Sequence, residues 1–216
     1  MYRIRIKFSR GEEIKYISHL DIIRLWERVF NRACISLSYS GGFNPHPRLS
    51  LAAPLQVAVT SEAELMDVFL DKWSSPHWFY EVIRQQLPAG IKILGVYQIP
   101  LEKPSLQSQV RYAEYQVMLE NEQDKQVIDI KSSIDTLLSL DTLPWHHHRD
   151  TGRRSYDLRA LINDLWYIDW QNPYHTIGMK LRCDSGGSGR PEQVVSALGF
   201  NGFPASMHRT HLILTN

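Results

Sequence analysis

The densest run of chemistry-bearing residues is Tyr39-Ser-Gly-Gly-Phe-Asn-Pro-His-Pro-Arg-Leu-Ser50. Gly41 and Gly42 permit a tight path, and Pro45 and Pro47 stiffen it. Tyr39, Asn44, His46, Arg48 and Ser50 add an aromatic ring, hydrogen-bonding groups and a cation. A plain connection needs only the Gly and Pro. Polar groups spaced around aromatics are what a phosphate- or base-binding loop requires.

Three further clusters interrupt core-like sequence. In Tyr16-Ile-Ser-His-Leu-Asp21 with Arg24, Ser18 is placed to cap a helix and Asp21 suits its positive end, but capping leaves His19 unexplained. Trp145 to Arg149 holds three adjacent His, followed by Arg153, Arg154, Tyr156, Asp157 and Arg159. In a strand only His146 and His148 share a face, and no Cys or Glu sits at ligand spacing, so no metal site is expected. The Arg set suits phosphate and base contacts, while Asp157 and Arg159 equally suit pairing with a loop backbone. Finally, Asp184-Ser-Gly-Gly-Ser-Gly-Arg-Pro191 enters a helix, so Gly187, Gly189 and Arg190 could surround an anion with N–H groups and a guanidinium. A flexible turn explains the same glycines, and neither a P-loop ending nor a dinucleotide-binding spacing is present.

Hydrolase-elbow, zinc-protease and zinc-deaminase signatures are lacking. His19 and His46 are the candidate acid–base pair, although nothing in the sequence joins them. Cys34 and Cys183 fall in apolar, strand-like contexts that suggest packed thiols. Two cysteines are too few for a disulfide scaffold or an iron–sulfur loop, and no cofactor is expected in this chain.

These groups need a frame. The 216 residues are 43% hydrophobic and 22% charged, enough for one good core or two small ones, with a formal charge of +1. That balance excludes a histone-like binder and an acidic tail. Residues 1–59 nevertheless carry nine Lys or Arg against four acids. No apolar run reaches the length of a membrane span, and a cytoplasmic location is expected.

Tyr2 to Phe8 alternates apolar residues with Arg3, Arg5 and Lys7, predicting a strand with a basic outward face. Leu20, Ile23, Leu25, Trp26, Val29, Phe30 and Ala33 predict the inward side of a helix. Strands over Cys34 to Ser40, Arg48 to Val59 and Glu64 to Leu70, a helix from Ser75 to Leu87 and a strand over Ile91 to Ile99 complete a first unit. Pro100 to Gln109 reads as a linker. Strands at Tyr112 to Glu120, Leu143 to His148, Leu165 to Trp170, Thr176 to Cys183 and His208 to Leu214, with helices at Gln123 to Leu140 and Pro191 to Leu198, follow a similar course. The expectation is an α+β protein of two tandem ferredoxin-like (βαββαβ) units with antiparallel sheets, residues 1–103 and 109–216.

The motifs Tyr16 to Asp21, Tyr39 to Ser50, Asp157-Leu-Arg159 and Gly187 to Pro191 together resemble the bacterial radical-SAM-linked protein family over nearly the whole chain. Ala160 departs from that pattern, where a Pro commonly follows. The resemblance implies a stand-alone form, a separate radical SAM protein as partner, and an accessory, RNA-binding or substrate-presenting role in modifying RNA or an RNA-associated substrate. On this reading the chain is non-catalytic by itself, Arg3, Arg5 and Lys7 supply a basic face, and His46 and Arg48 grip the ligand. The alternatives are a metal-independent endoribonuclease using His19 or His46, and a protein-only scaffold recognised through Trp73, Trp78 and Trp166.

Overall fold

A computed structural model describes residues 1–121, 126–149 and 152–215, with the side chains of 147–149 and 152–154 outside that description. The chain is a mixed α+β protein that divides into two compact units, one comprising Met1–Val110 and the extreme C-terminus, the other Arg111–Leu214.

The first unit contains β1 (Tyr2–Arg10), α1 (His19–Arg32), β2 (Leu49–Leu51), β3 (Thr60–Leu70), α2 (Pro76–Arg84), β4 (Ile91–Ile99) and the short α3 (Leu106–Gln109). Its strands lie in the order β4–β1–β3–β2, each pair antiparallel. Alternation along β1 sends Ile4, Ile6 and Phe8 toward the helices, where all three are buried. The Ser18 hydroxyl caps α1 by accepting the Asp21 N–H at 3.2 Å, and Arg32 sits in the last turn. Ser75 caps α2 in the same way, with Pro76 at its start. Aromatic contacts tie the layers together: Phe8 meets Trp26 at 5.0 Å, Trp26 stacks on Phe30 at 5.5 Å, and Phe30 reaches Phe79 at 5.9 Å.

Several sequence expectations are corrected here. Leu20 is 63% exposed, and Ile22 instead joins Trp26, Val29 and Phe30 in the core. Cys34 to Ser40 is not a strand: Cys34 has φ +52, which breaks the extended path, and only single bridges at Leu37 and Tyr39 follow. The Cys34 thiol is exposed rather than packed, whereas Cys183 is buried. Of Arg48 to Val59, only Leu49–Leu51 pairs as a strand. The linker ends in α3, capped by Ser105.

The basic face of β1 is also not a free surface. Arg3 and Arg5 both reach the fully buried Asp67 on β3, through Nε–Oδ distances of 2.8 and 2.7 Å. Arg3 additionally donates to the carbonyls of Lys103 and Pro104, and its side chain is 3% exposed. These guanidinium groups are consumed internally, because a desolvated Arg must find an anion and carbonyl acceptors.

The second unit contains β5 (Val110–Glu120), α4 (Val127–Ser139), β6 (Pro144–Arg149), β7 (Gly152–Asp157), β8 (Ile162–Gln171), β9 (Tyr174–Asp184), β10 (Gly187–Ser188), α5 (Pro191–Ala197) and β11 (Ser206–Leu214). β9 pairs antiparallel with β5, β8 and β10, and β11 lies on the other side of β5. One face is apolar, with Ala113, Tyr115, Val117 and Leu119 of β5 beside Ile177, Met179 and Leu181 of β9. From α4, Ile130, Ile134 and Leu137 are buried. Residues 123–125, expected to begin α4, lie outside the described residues. The Arg-rich stretch, for which the sequence predicts no strand, is β7: β6 and β7 pair with each other alone, Trp145 with Tyr156 and His146 with Ser155.

Asp67→Ala should lower stability by about 3–5 kcal/mol, because it strands two buried guanidinium groups. Urea denaturation measures this, and a loss below about 1 kcal/mol would contradict the account.

Candidate nucleic-acid interface

The Tyr39–Ser50 segment is an excursion clamped at its base. Ser38 and Arg48 both hydrogen-bond to the backbone of Phe69 on β3, and the Arg48 N–H donates to the Ser38 carbonyl at 2.8 Å. The Ser40 N–H donates to the His46 carbonyl at 2.9 Å, and the His46 N–H donates to Ser40 Oγ at 3.0 Å. Residues 41–45 project beyond this clamp, with Gly42 at φ +108 making the turn that a Cβ would strain. Phe43 at the tip is fully exposed and Tyr39 is 48% exposed, while Asn44 and His46 also face solvent.

Arg48 joins this loop to the face of the sheet opposite the helices. Its guanidinium lies 5.4 Å from the Phe69 ring and that of Arg3 lies 5.7 Å from the same ring. Strand register sets three rows across this face: Ile99, Arg3, Phe69 and Arg48; then Tyr97, Arg5, Asp67 and Ser50; then Gly95, Lys7, Leu65 and Ala52. Four cations stand against one carboxylate. Lys7 is half-buried and makes no ion pair among the described residues.

The start of α1 belongs elsewhere. His19 lies in the field of Arg10 and Glu64, and Glu64 is on the helix-facing side of β3, five residues from Phe69. At about 3.3 Å per residue the two anchor points are ~16 Å apart along the strand, on opposite faces. His19 and His46 are therefore not brought together. Tyr16, Ser18, Asp21, Arg28 and Arg32 instead line a separate open groove of about 750 Å3 with Gln85 to Pro88. Asp21 is engaged by Ser18 and by Arg24 at 3.1 Å.

In the second unit the motif residues brace loops. Asp157 accepts the N–H groups of Leu143 at 2.8 Å and Arg159 at 3.0 Å. The Arg159 guanidinium donates to the carbonyls of Leu138, Leu140 and Ile162, closing the end of α4. In the Gly-rich turn, Asp184 takes the Gly186 N–H at 2.7 Å and a bond from Gly187, and the Gly189 N–H donates to the Arg182 carbonyl. Of the donors expected to cradle an anion, Gly187 serves this internal carboxylate and Gly189 a backbone carbonyl. Arg190 lies 3.8 Å from Glu192. The side chains of Arg153, Arg154, His147 and His148 lie outside the described residues, and His146 contacts Ser155 at 2.9 Å. Trp73 and Trp78 are 60% and 49% exposed, Trp166 37%. Among the described residues no group of three His, Cys, Asp or Glu is placed to hold a metal, and no helix is long and apolar enough to cross a membrane.

Tyr97, which the sequence patterns do not single out, is 52% exposed on β4, two residues from Gly95.

Arg159→Ala should cost about 2 kcal/mol, from three carbonyls losing a charged donor, and leave the loop of the first unit intact. A thermal melt shows the first effect, and an unchanged melting temperature would contradict the bracing role. His19 titrates below the ordinary 6.5, chiefly through burial, with Arg10 adding and Glu64 opposing. The unfolded chain thus binds this proton more readily, so the contribution of His19 to stability is full above pH 6.5 and is lost as pH falls through its folded value. An NMR titration of the imidazole should give a midpoint below 6.5, and a midpoint at or above it would contradict the burial argument.

Among solved structures, the fold is similar to a chain in a Cbf5–Nop10–Gar1 complex, with TM-score 0.53 and 9% identity, covering 98% of this chain and 48% of that one. It is similar at the same identity to a chain of an H/ACA RNP bound to a substrate RNA containing 2'-deoxyuridine, with TM-score 0.52, covering 96% and 46%. The chain thus spans about half the length of these proteins, and the likeness is one of fold. No curated protein matches it in sequence. Over residues 3–191 the chain matches the family described as an uncharacterized protein conserved in bacteria (DUF2344), and it belongs to that family.

Proposed function

We propose that this chain binds RNA through its first unit, as a non-catalytic accessory or substrate-presenting partner of a separate radical SAM enzyme. The observation that carries RNA binding is the clamped loop, which holds a fully exposed Phe43 beyond the cation of Arg48. An exposed ring accepts a base and a neighbouring guanidinium accepts a phosphate. Support comes also from the fold likeness to a chain of an RNP bound to a substrate RNA. The partner enzyme rests on the motif resemblance alone.

The second unit follows the first in topology, β8–β9–β5–β11 matching β2–β3–β1–β4 with α4 and α5 in the places of α1 and α2. That order supports reading both as ferredoxin-like units, the β6–β7 hairpin being an insertion in the second.

Filter binding of bulk cellular RNA in rising KCl should show affinity falling steeply with salt. Arg48→Ala should reduce the slope of log K against log[KCl] by about 0.7–1, and Phe43→Ala should weaken binding by about 1–3 kcal/mol, both with unchanged circular dichroism. No RNA bound at low salt, or a salt-independent response, would overturn the reading.

A further inference from the structure

We propose that Tyr97 is a stacking platform for an unpaired base, so that the RNA taken by the first unit is single-stranded where it crosses the sheet; this rests on the RNA-binding reading above. Tyr97 lies on β4, on the face opposite the helices. A Cβ placed on Gly95 would fall 2.4 Å from the Tyr97 hydroxyl and 2.7 Å from Cζ. The phenol end therefore lies back along its own strand over Gly95, where only a glycine leaves room. The residue is still 52% exposed, and its hydroxyl makes no hydrogen bond among the described residues. It is supported from beneath by backbone and left open above, with nothing in its own unit consuming it.

The neighbours decide what fits. Arg5 is the cross-strand partner of Tyr97 and Lys7 that of Gly95, so cations flank the ring on the β1 side. Across the three rows of this face Arg3, Arg5, Lys7 and Arg48 oppose Asp67 alone; Arg3 and Arg5 are held by that carboxylate, so Lys7 and Arg48 are the cations that a ligand meets. An anionic polymer answers that charge, and one with free π-faces answers the ring. A duplex offers only its backbone to a sheet face, whereas a single strand offers phosphates and bases together. Tyr97 stands three strand spacings from Ser50, about 14 Å, so one strand can run from the ring toward the Arg48 end of the loop.

The test uses the full chain and a labelled mixed-sequence RNA oligonucleotide, alone and annealed to its complement, with Tyr97→Ala, Tyr97→Phe, Gly95→Ala and Phe43→Ala. Wild type should bind the single strand at least ten-fold more tightly than the duplex. Tyr97→Ala should lose about ten-fold on the single strand and nothing on the duplex, and Tyr97→Phe should retain binding. Gly95→Ala keeps the ring but lifts it from the strand, and should lose part of that ten-fold with an unchanged melting temperature. Equal affinity for both RNAs, or Tyr97→Ala binding the single strand as wild type while Phe43→Ala does not, would overturn the platform and leave the RNA-binding reading standing. Failure of wild type to bind either RNA would overturn that reading and the platform with it.

Discussion

A single carboxylate, Asp67, holds two guanidinium groups of the neighbouring strand, and the geometry of the whole first unit follows from it. Strand register is ambiguous by one residue until something on each face forbids a slip. Here a slip of β3 would turn Asp67 and Phe69 toward Phe8, Trp26 and Phe30, and push Met66 and Val68 outward. The cost of burying that charge unpaired, added to the loss of apolar contacts, fixes the pairing. Because Arg3 also captures the carbonyls of Lys103 and Pro104, the same carboxylate anchors the segment leaving the unit. The alignment of β3 on β1, and with it the place of Phe69 beside Arg3, inherits its register from this contact.

The motif residues divide by what their polar atoms already do. Asp157, Arg159 and Asp184 have partners within a few residues or at the adjoining helix end, and Ser18 and Asp21 close the start of α1. By contrast Phe43 and Asn44 stand beyond the clamp of their loop, and His46, whose backbone forms the clamp, is exposed. A conspicuous cluster in a sequence therefore mixes two kinds of group: those that hold a loop in shape and those the loop displays. Both kinds need the same donors and acceptors, so residue type alone does not separate them.

What was legible in the sequence was local. The alternation of β1, the Ser18 and Ser75 caps and the glycines of the long loop each depend on neighbours a few residues away. The fate of Arg3 depends on Asp67, 64 residues later, and no periodicity reveals that pairing. Leu20 and Ile22 were confused because apolar residues surround too much of α1 to fix its phase, which is set by Trp26 and Phe30 packing against Phe8 and Phe79. The β7 strand was hidden because Arg153 and Arg154 interrupt any apolar alternation, its order coming instead from pairing with β6. His19 and His46 lie apart for the same reason: the strand face beside each is set by long-range pairing that neither motif reveals.

The clamp between Ser40 and His46 has a kinetic meaning. Only five residues lie between the pinned positions, so on the proposed reading a ligand would leave few backbone torsions to freeze, and encounter would not wait for the chain to order. Discrimination among ligands then resides in how long each one stays rather than in how quickly it arrives.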